Sequence, residues 1–108
     1  MSITNILNIT QYNKIIQENE SCILYCSLSY CRPCITIYPL YQKFAEDYKH
    51  KNIFLSKITF DLLENNEDII LKKNLDIKIF PIFILINNGN ILEKTSNIKD
   101  IEYEINYI

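Results

Sequence analysis

Three short apolar runs, set between segments of helical period, constrain this chain more than any other feature. The runs are Cys22-Ile23-Leu24-Tyr25-Cys26, Ile53 to Ile58 and Ile82 to Ile86. Each is five or six residues long; the first lies between polar flanks, the form of a strand buried on both faces, the second reads as another buried strand, and the third follows Pro81 and ends at Asn87. Between the first two, Cys34, Tyr38, Tyr41, Phe44, Ala45 and Tyr48 recur at helical spacing, with Gln42, Lys43, Glu46, Asp47 and Lys49 opposite. Pro39 falls inside that helix and predicts a kink. Asn66 is positioned to cap a further helix, with Glu67 and Asp68 in its first turn and Lys72 and Lys73 in its last. Upstream, Ile3, Ile6 and Leu7 suggest a short strand, and Thr10 is placed to cap a helix through Asn19. Pro81 cannot donate to a ladder and so starts the strand Ile82 to Ile86, after which Asn88-Gly89 turns a hairpin into Ile91–Lys94. The tail fits two periods. Ile98, Ile101, Ile105 and Ile108 suit a helix, whereas Ile101, Tyr103, Ile105 and Tyr107 alternate like a strand. Taken with a terminal helix, the order is β-α-β-α-β-α-β-β-α. Strands separated by helices pair in parallel, and the final hairpin adds an antiparallel edge, so the expectation is an α/β fold with a mixed central sheet covered on both faces.

At 108 residues the chain suits one domain, 1–108, and with 48% apolar residues it has material for a core without disulfide staples. The net charge of −2, without a basic cluster, argues against nucleic acid as a partner. The longest apolar run is far short of the roughly 20 residues a membrane helix needs. Residues 1–21 show no secretory apolar region, which predicts a reducing, cytoplasmic setting for the four cysteines. No Gly-rich phosphate loop is present, and the sole histidine, His50, lies among lysines as a solvated group. Neither nucleotide binding nor a Cys–His protease is therefore expected.

Cys31-Arg32-Pro33-Cys34 falls between a buried strand and the amphipathic helix. A helix starting there aims its unpaired N–H groups and positive dipole end at Cys31. Thiolate is the nucleophile, and a fall in pKa from about 8.5 to about 7 corresponds to roughly 2 kcal/mol in favour of the charged form. Arg32 adds a cation in the same direction. The two-residue spacer lets Cys34 reach back and resolve a mixed disulfide. Pro33 suits the first helical turn, where its missing N–H costs nothing. Together with Cys22 and Cys26 the pair also makes a four-cysteine list of the zinc-binding kind. However, Cys22, Leu24 and Cys26 share one face of a strand, which points the outer thiols into a core and favours redox chemistry over a metal.

Here the sequence resembles the thioredoxin family. The landmarks are Tyr30-Cys31-Arg32-Pro33-Cys34, Pro39 eight residues after Cys31, Lys57 on the third strand, and Phe80-Pro81 ahead of the Asn88-Gly89 hairpin. The resemblance implies a thioredoxin fold with a five-stranded sheet, with Cys31 as exposed nucleophile and Cys34 as buried resolving thiol. It implies a cis Pro81 against the disulfide and a substrate surface that includes Tyr30, the Phe80 backbone and Pro81. It further implies reduction of client-protein disulfides, electrons from a flavoprotein thioredoxin reductase or glutathione, and no bound cofactor. A monomer is expected. A disulfide oxidase or isomerase and a redox-inactive binding module are the alternatives. Several positions depart from the family pattern. Tyr30 replaces a Trp, Arg32 replaces a Gly, Phe80 is bulky enough to narrow the substrate groove, and Thr95-Ser96-Asn97 replaces a Gly-containing turn. Above all, Tyr25 stands where the family has a buried acid that moves the proton of the resolving thiol. Lys57 alternates with apolar neighbours, which suits either a stem lying along apolar surface or a functional cation.

Overall fold

In a computed structural model, which describes residues 3–108, the chain forms five strands and four α-helices; residues 1 and 2 of the expected domain lie outside it. The strands are β1 (Thr4–Ile6), β2 (Ser21–Ser27), β3 (Phe54–Thr59), β4 (Ile82–Asn87) and β5 (Asn90–Thr95). The helices are α1 (Ile9–Glu18), α2 (Arg32–Asp47), α3 (Glu67–Asn74) and α4 (Ile98–Ile105). They build one sheet of order β1-β3-β2-β4-β5.

Period-two alternation along the central strands sorts the core into two layers. Cys22, Leu24 and Cys26 of β2, with Ile82, Ile84 and Ile86 of β4, pack on one face against Ile15 of α1 and Leu71 of α3. Ile23 and Tyr25, with Phe83 and Leu85, point the other way onto Tyr41, Phe44 and Ala45 of α2 and Ile101 and Ile105 of α4. Burial of Ile101 and Ile105 decides the tail for the helical period, leaving Tyr103 exposed.

Four local features differ from expectation. The cap of α1 is Asn8, not Thr10: Asn8 Oδ1 accepts from Gln11 N at 2.8 Å while Gln11 Oε1 accepts from Leu7 N at 2.8 Å. Asn8 thus takes one orphan N–H of the helix, and Gln11 three residues on ties down the residue before the cap. Asn66 does precede α3, but at φ 56° and without a side-chain cap. Two short 3-10 turns, Phe60–Leu62 and Glu64–Asn66, lead into it. Finally, the sheet changes direction in its middle. β2 is parallel to β3 but antiparallel to β4, so antiparallel pairing is not confined to the final hairpin. Cys26 aligns with both Ile58 and Ile82, so β4 starts at the end of the sheet where β3 stops. The connection through α3 therefore need not cross the sheet before the chain runs back. At that one end the loop after β2, the turns after β3 and the segment before β4 converge.

Candidate active site

Cys31 sits at the N-cap of α2 with extended backbone, and Pro33 lies in the first turn. Cys31 and Cys34 form a disulfide across a Cα–Cα distance of 5.2 Å. The backbone N–H of Cys34 donates to Cys31 Sγ at 3.3 Å, so a helix amide already points at the first sulfur. Cys31 is partly exposed, whereas Cys34 is buried among the core residues. Arg32 and Pro33 are exposed beside the pair, and Tyr30 is 76% exposed immediately before it.

Tyr25 lies directly beneath. Its ring is in the core against Phe83 (centroids 5.0 Å), Tyr41 (5.4 Å) and Tyr38 (5.6 Å). Its hydroxyl donates to the Cys34 carbonyl at 2.5 Å. Burial, with a smaller contribution from Tyr38, pushes its pKa up to about 12, so the phenol holds the helix start as a donor and stays protonated at neutral pH. Lys57 comes to the same place from β3, with Nζ 4.3 Å from the centre of the Tyr38 ring. The Phe80–Pro81 peptide is cis, as the resemblance implies. The Phe80 ring packs on Phe60 at 5.4 Å, with Lys72 Nζ at 5.8 Å, and is half-buried against the core. Part of its bulk is thus taken up by packing on the core.

Two residues of the site carry no local signal in the sequence. Asp61, in the 3-10 turn after β3, accepts from the Ser29 backbone N–H at 2.8 Å and from the Ser29 hydroxyl. These bonds hold its pKa below the usual carboxylate value and tie down the loop that presents Cys31. The pair is 32 residues apart, so only the fold brings it together.

Cys22 and Cys26 are free and buried on the opposite face of β2 from Tyr25. Among the described residues no three His, Cys, Asp or Glu side chains are grouped to hold a metal, and no helix is long and apolar enough to cross a membrane. Burial pushes the Cys22 thiol from 9.0 up to about 11, and Cys26 higher still. Because these groups and Tyr25 keep their protons longer when folded, their contribution to stability is full below about pH 9. It is lost as pH rises through the folded values. The urea midpoint of the oxidised protein is expected to fall between about pH 9 and about pH 11, and Cys22→Ala should flatten the early part of that fall. An unchanged slope in the variant would contradict the assignment.

The thioredoxin family model matches residues 3–106. The chain belongs to the thioredoxin family. Two thioredoxins illustrate the likeness. Thioredoxin-1 of Caenorhabditis elegans is 29% identical over 86 residues, covering 78% of this chain and 69% of its own. Thioredoxin of Coprinus comatus is 25% identical over 89 residues, covering 82% of this chain and 79% of its own. Mitochondrial thioredoxin 3 of Saccharomyces cerevisiae, in its oxidised form, superimposes with a TM-score of 0.80 at 22% identity, covering 98% of this chain and 95% of that one. The architecture is therefore the thioredoxin fold. With a CxxC pair at disulfide distance, this thioredoxin-family protein is a thiol–disulfide oxidoreductase and a disulfide reductase.

Proposed function

We propose that Cys31 is the attacking thiolate and Cys34 the resolving thiol in the reduction of client-protein disulfides. The observation that carries this assignment is the asymmetry of the pair. Cys31 is partly exposed and receives a helix amide, whereas Cys34 is 3% exposed one turn inside. An exposed sulfur facing a helix N-terminus is the better thiolate. It attacks a client sulfur, the client S–S bond breaks, and the first client thiolate leaves. Cys34 then attacks Cys31 Sγ, which breaks the Cys31–client bond and leaves the Cys31–Cys34 disulfide. Tyr30 and the Phe80–Pro81 segment flank the client's path, Asp61 holds the loop through Ser29, and Tyr25 anchors Cys34. The oxidised pair is returned to dithiol by a flavoprotein thioredoxin reductase or by glutathione, with the protein acting as a monomer. Such a cycle suits a reducing compartment, the cytoplasm in the first instance. Reduction of insulin by dithiothreitol tests the assignment. Catalytic amounts of the protein should accelerate precipitation of the B chain, and a rate equal to the blank would refute it.

Arg32 is the feature that favours a more oxidising role. Its cation beside the pair stabilises the thiolate and hence the dithiol form. The expected potential is about −200 to −230 mV rather than the roughly −270 mV typical of thioredoxin. Arg32→Gly should move it toward the more negative value. Identical potentials for both proteins on equilibration with glutathione would remove Arg32 from this role.

A further inference from the structure

A cavity of about 330 Å³ lies beside Cys34, lined by Tyr25, Ser27, Tyr38, Lys57 and Thr59, with Ile35 and Leu62 among its remaining walls. Ile35 and Leu62 are 65% and 64% exposed, so the cavity opens to solvent between α2 and the turn after β3. We propose that this cavity binds a small carboxylate against the Lys57 ammonium, and that the bound carboxylate takes the proton of the resolving thiol. This rests on the assignment of Cys34 as the resolving sulfur.

Cys34 must lose a proton before it can attack, and the cavity wall holds no base able to take it at neutral pH. The Tyr25 hydroxyl keeps its proton and donates a hydrogen bond to the Cys34 carbonyl, and burial raises both its pKa and that of Tyr38. Ser27 and Thr59 offer neutral hydroxyls, and Lys57 is a cation. Asp61 lies outside the lining, and its carboxylate accepts twice from Ser29. Lys57 itself is half-buried, and among the described residues no carboxylate pairs with it; its contact is the Tyr38 ring. A partly desolvated ammonium without a counter-ion attracts an anion more strongly than one in open water. The space is enough for an ion the size of acetate, and Thr59 brings a hydroxyl to its wall; the Ser27 hydroxyl donates to the Ile58 carbonyl at 3.4 Å. In the step, the carboxylate takes the Cys34 S–H proton and the Cys34 sulfur bonds to Cys31 Sγ. The Cys31–client bond breaks with its electron pair on the client sulfur. That sulfur receives a proton from the carboxylic acid or from water.

The test is the second phase of a single turnover, in which the client leaves, followed by stopped flow at pH 7. Chloride is exchanged for acetate at constant ionic strength. The rate should rise several-fold and saturate. Lys57→Met should abolish saturation. Tyr25→Asp, with a carboxylate of its own in the cavity wall, should be insensitive to acetate. As a second probe that needs no variant, a carboxylate too bulky for the cavity should give no saturation in the unaltered protein. Release that proceeds equally with and without acetate, or an acetate dependence shared by Lys57→Met, overturns the proposal and leaves Cys34 as the resolving group. Absence of release in every buffer overturns both.

Discussion

Cys34→Ser is expected to convert the protein from a turnover catalyst into a trap, and Cys31→Ser to leave it inert. In Cys34→Ser, Cys31 still attacks a client disulfide, because its exposure and the amide of residue 34 are retained. The hydroxyl at position 34 cannot cleave the resulting bond, so a Cys31–client adduct accumulates. It should be visible on a non-reducing gel and released by dithiothreitol. In Cys31→Ser the remaining sulfur is buried and no adduct forms. Turnover should fall more than about 10³-fold in both variants, the scale of losing a nucleophile or an obligatory partner that acts with it. Stability should change little relative to the reduced protein, since serine is nearly isosteric, whereas both variants lose the Cys31–Cys34 cross-link of the oxidised form. Adducts on Cys34 in the Cys31→Ser variant would reverse the two roles.

The second large effect is expected at Tyr25. A phenol that stays protonated to about pH 12 cannot take the Cys34 proton. Resolution in the natural sequence should therefore be slow at pH 7 and climb steeply toward pH 9. Tyr25→Asp places a carboxylate beneath the Cys34 carbonyl and near Lys57. It should speed resolution at pH 7 by about 10-fold or more, against the 10²–10⁴-fold typical of general-base help, and flatten the pH profile. The substitution also removes ring contacts to Phe83, Tyr41 and Tyr38 and the bond to the Cys34 carbonyl. A cost of about 3–5 kcal/mol in urea unfolding is expected, comparable to truncating a buried aromatic. Equal rates with equal pH profiles would show that Tyr25 acts only in packing and that another group moves the proton.

What the sequence discloses follows from what is local in it. Cys31, Arg32, Pro33 and Cys34 are consecutive, and the helix they start has its own period, so the redox pair and its placement are legible together. The buried strands are legible because all their neighbours are apolar, whichever strands those are. The partners are not, and β4 enters between β2 and β5 in a direction that no residue of β4 announces. Capping shows the same limit. Thr10 and Asn8 are both acceptable caps, and the choice depends on Gln11 reaching Leu7. Asn66 loses its capping bond because its backbone takes the left-handed region within the pair Asn65-Asn66. Around the site, Cys34, Tyr25 and Lys57 could each be named from sequence, but the cavity they share also needs Thr59 from the last position of β3 and Leu62 from the turn past it. The Ser29–Asp61 tie and the packing of Phe80 on Phe60 are contacts between separate elements. Such contacts leave no periodic trace.

The most direct test of a dithiol mechanism is a stoichiometric one. Fully reduced protein is mixed with excess disulfide client without any other reductant, quenched with acid, alkylated and mapped by mass spectrometry. One client disulfide should be reduced per chain, Cys31 and Cys34 should be recovered as a disulfide, and Cys22 and Cys26 should remain thiols. Client disulfides left intact while Cys31 and Cys34 are both alkylated would contradict the account.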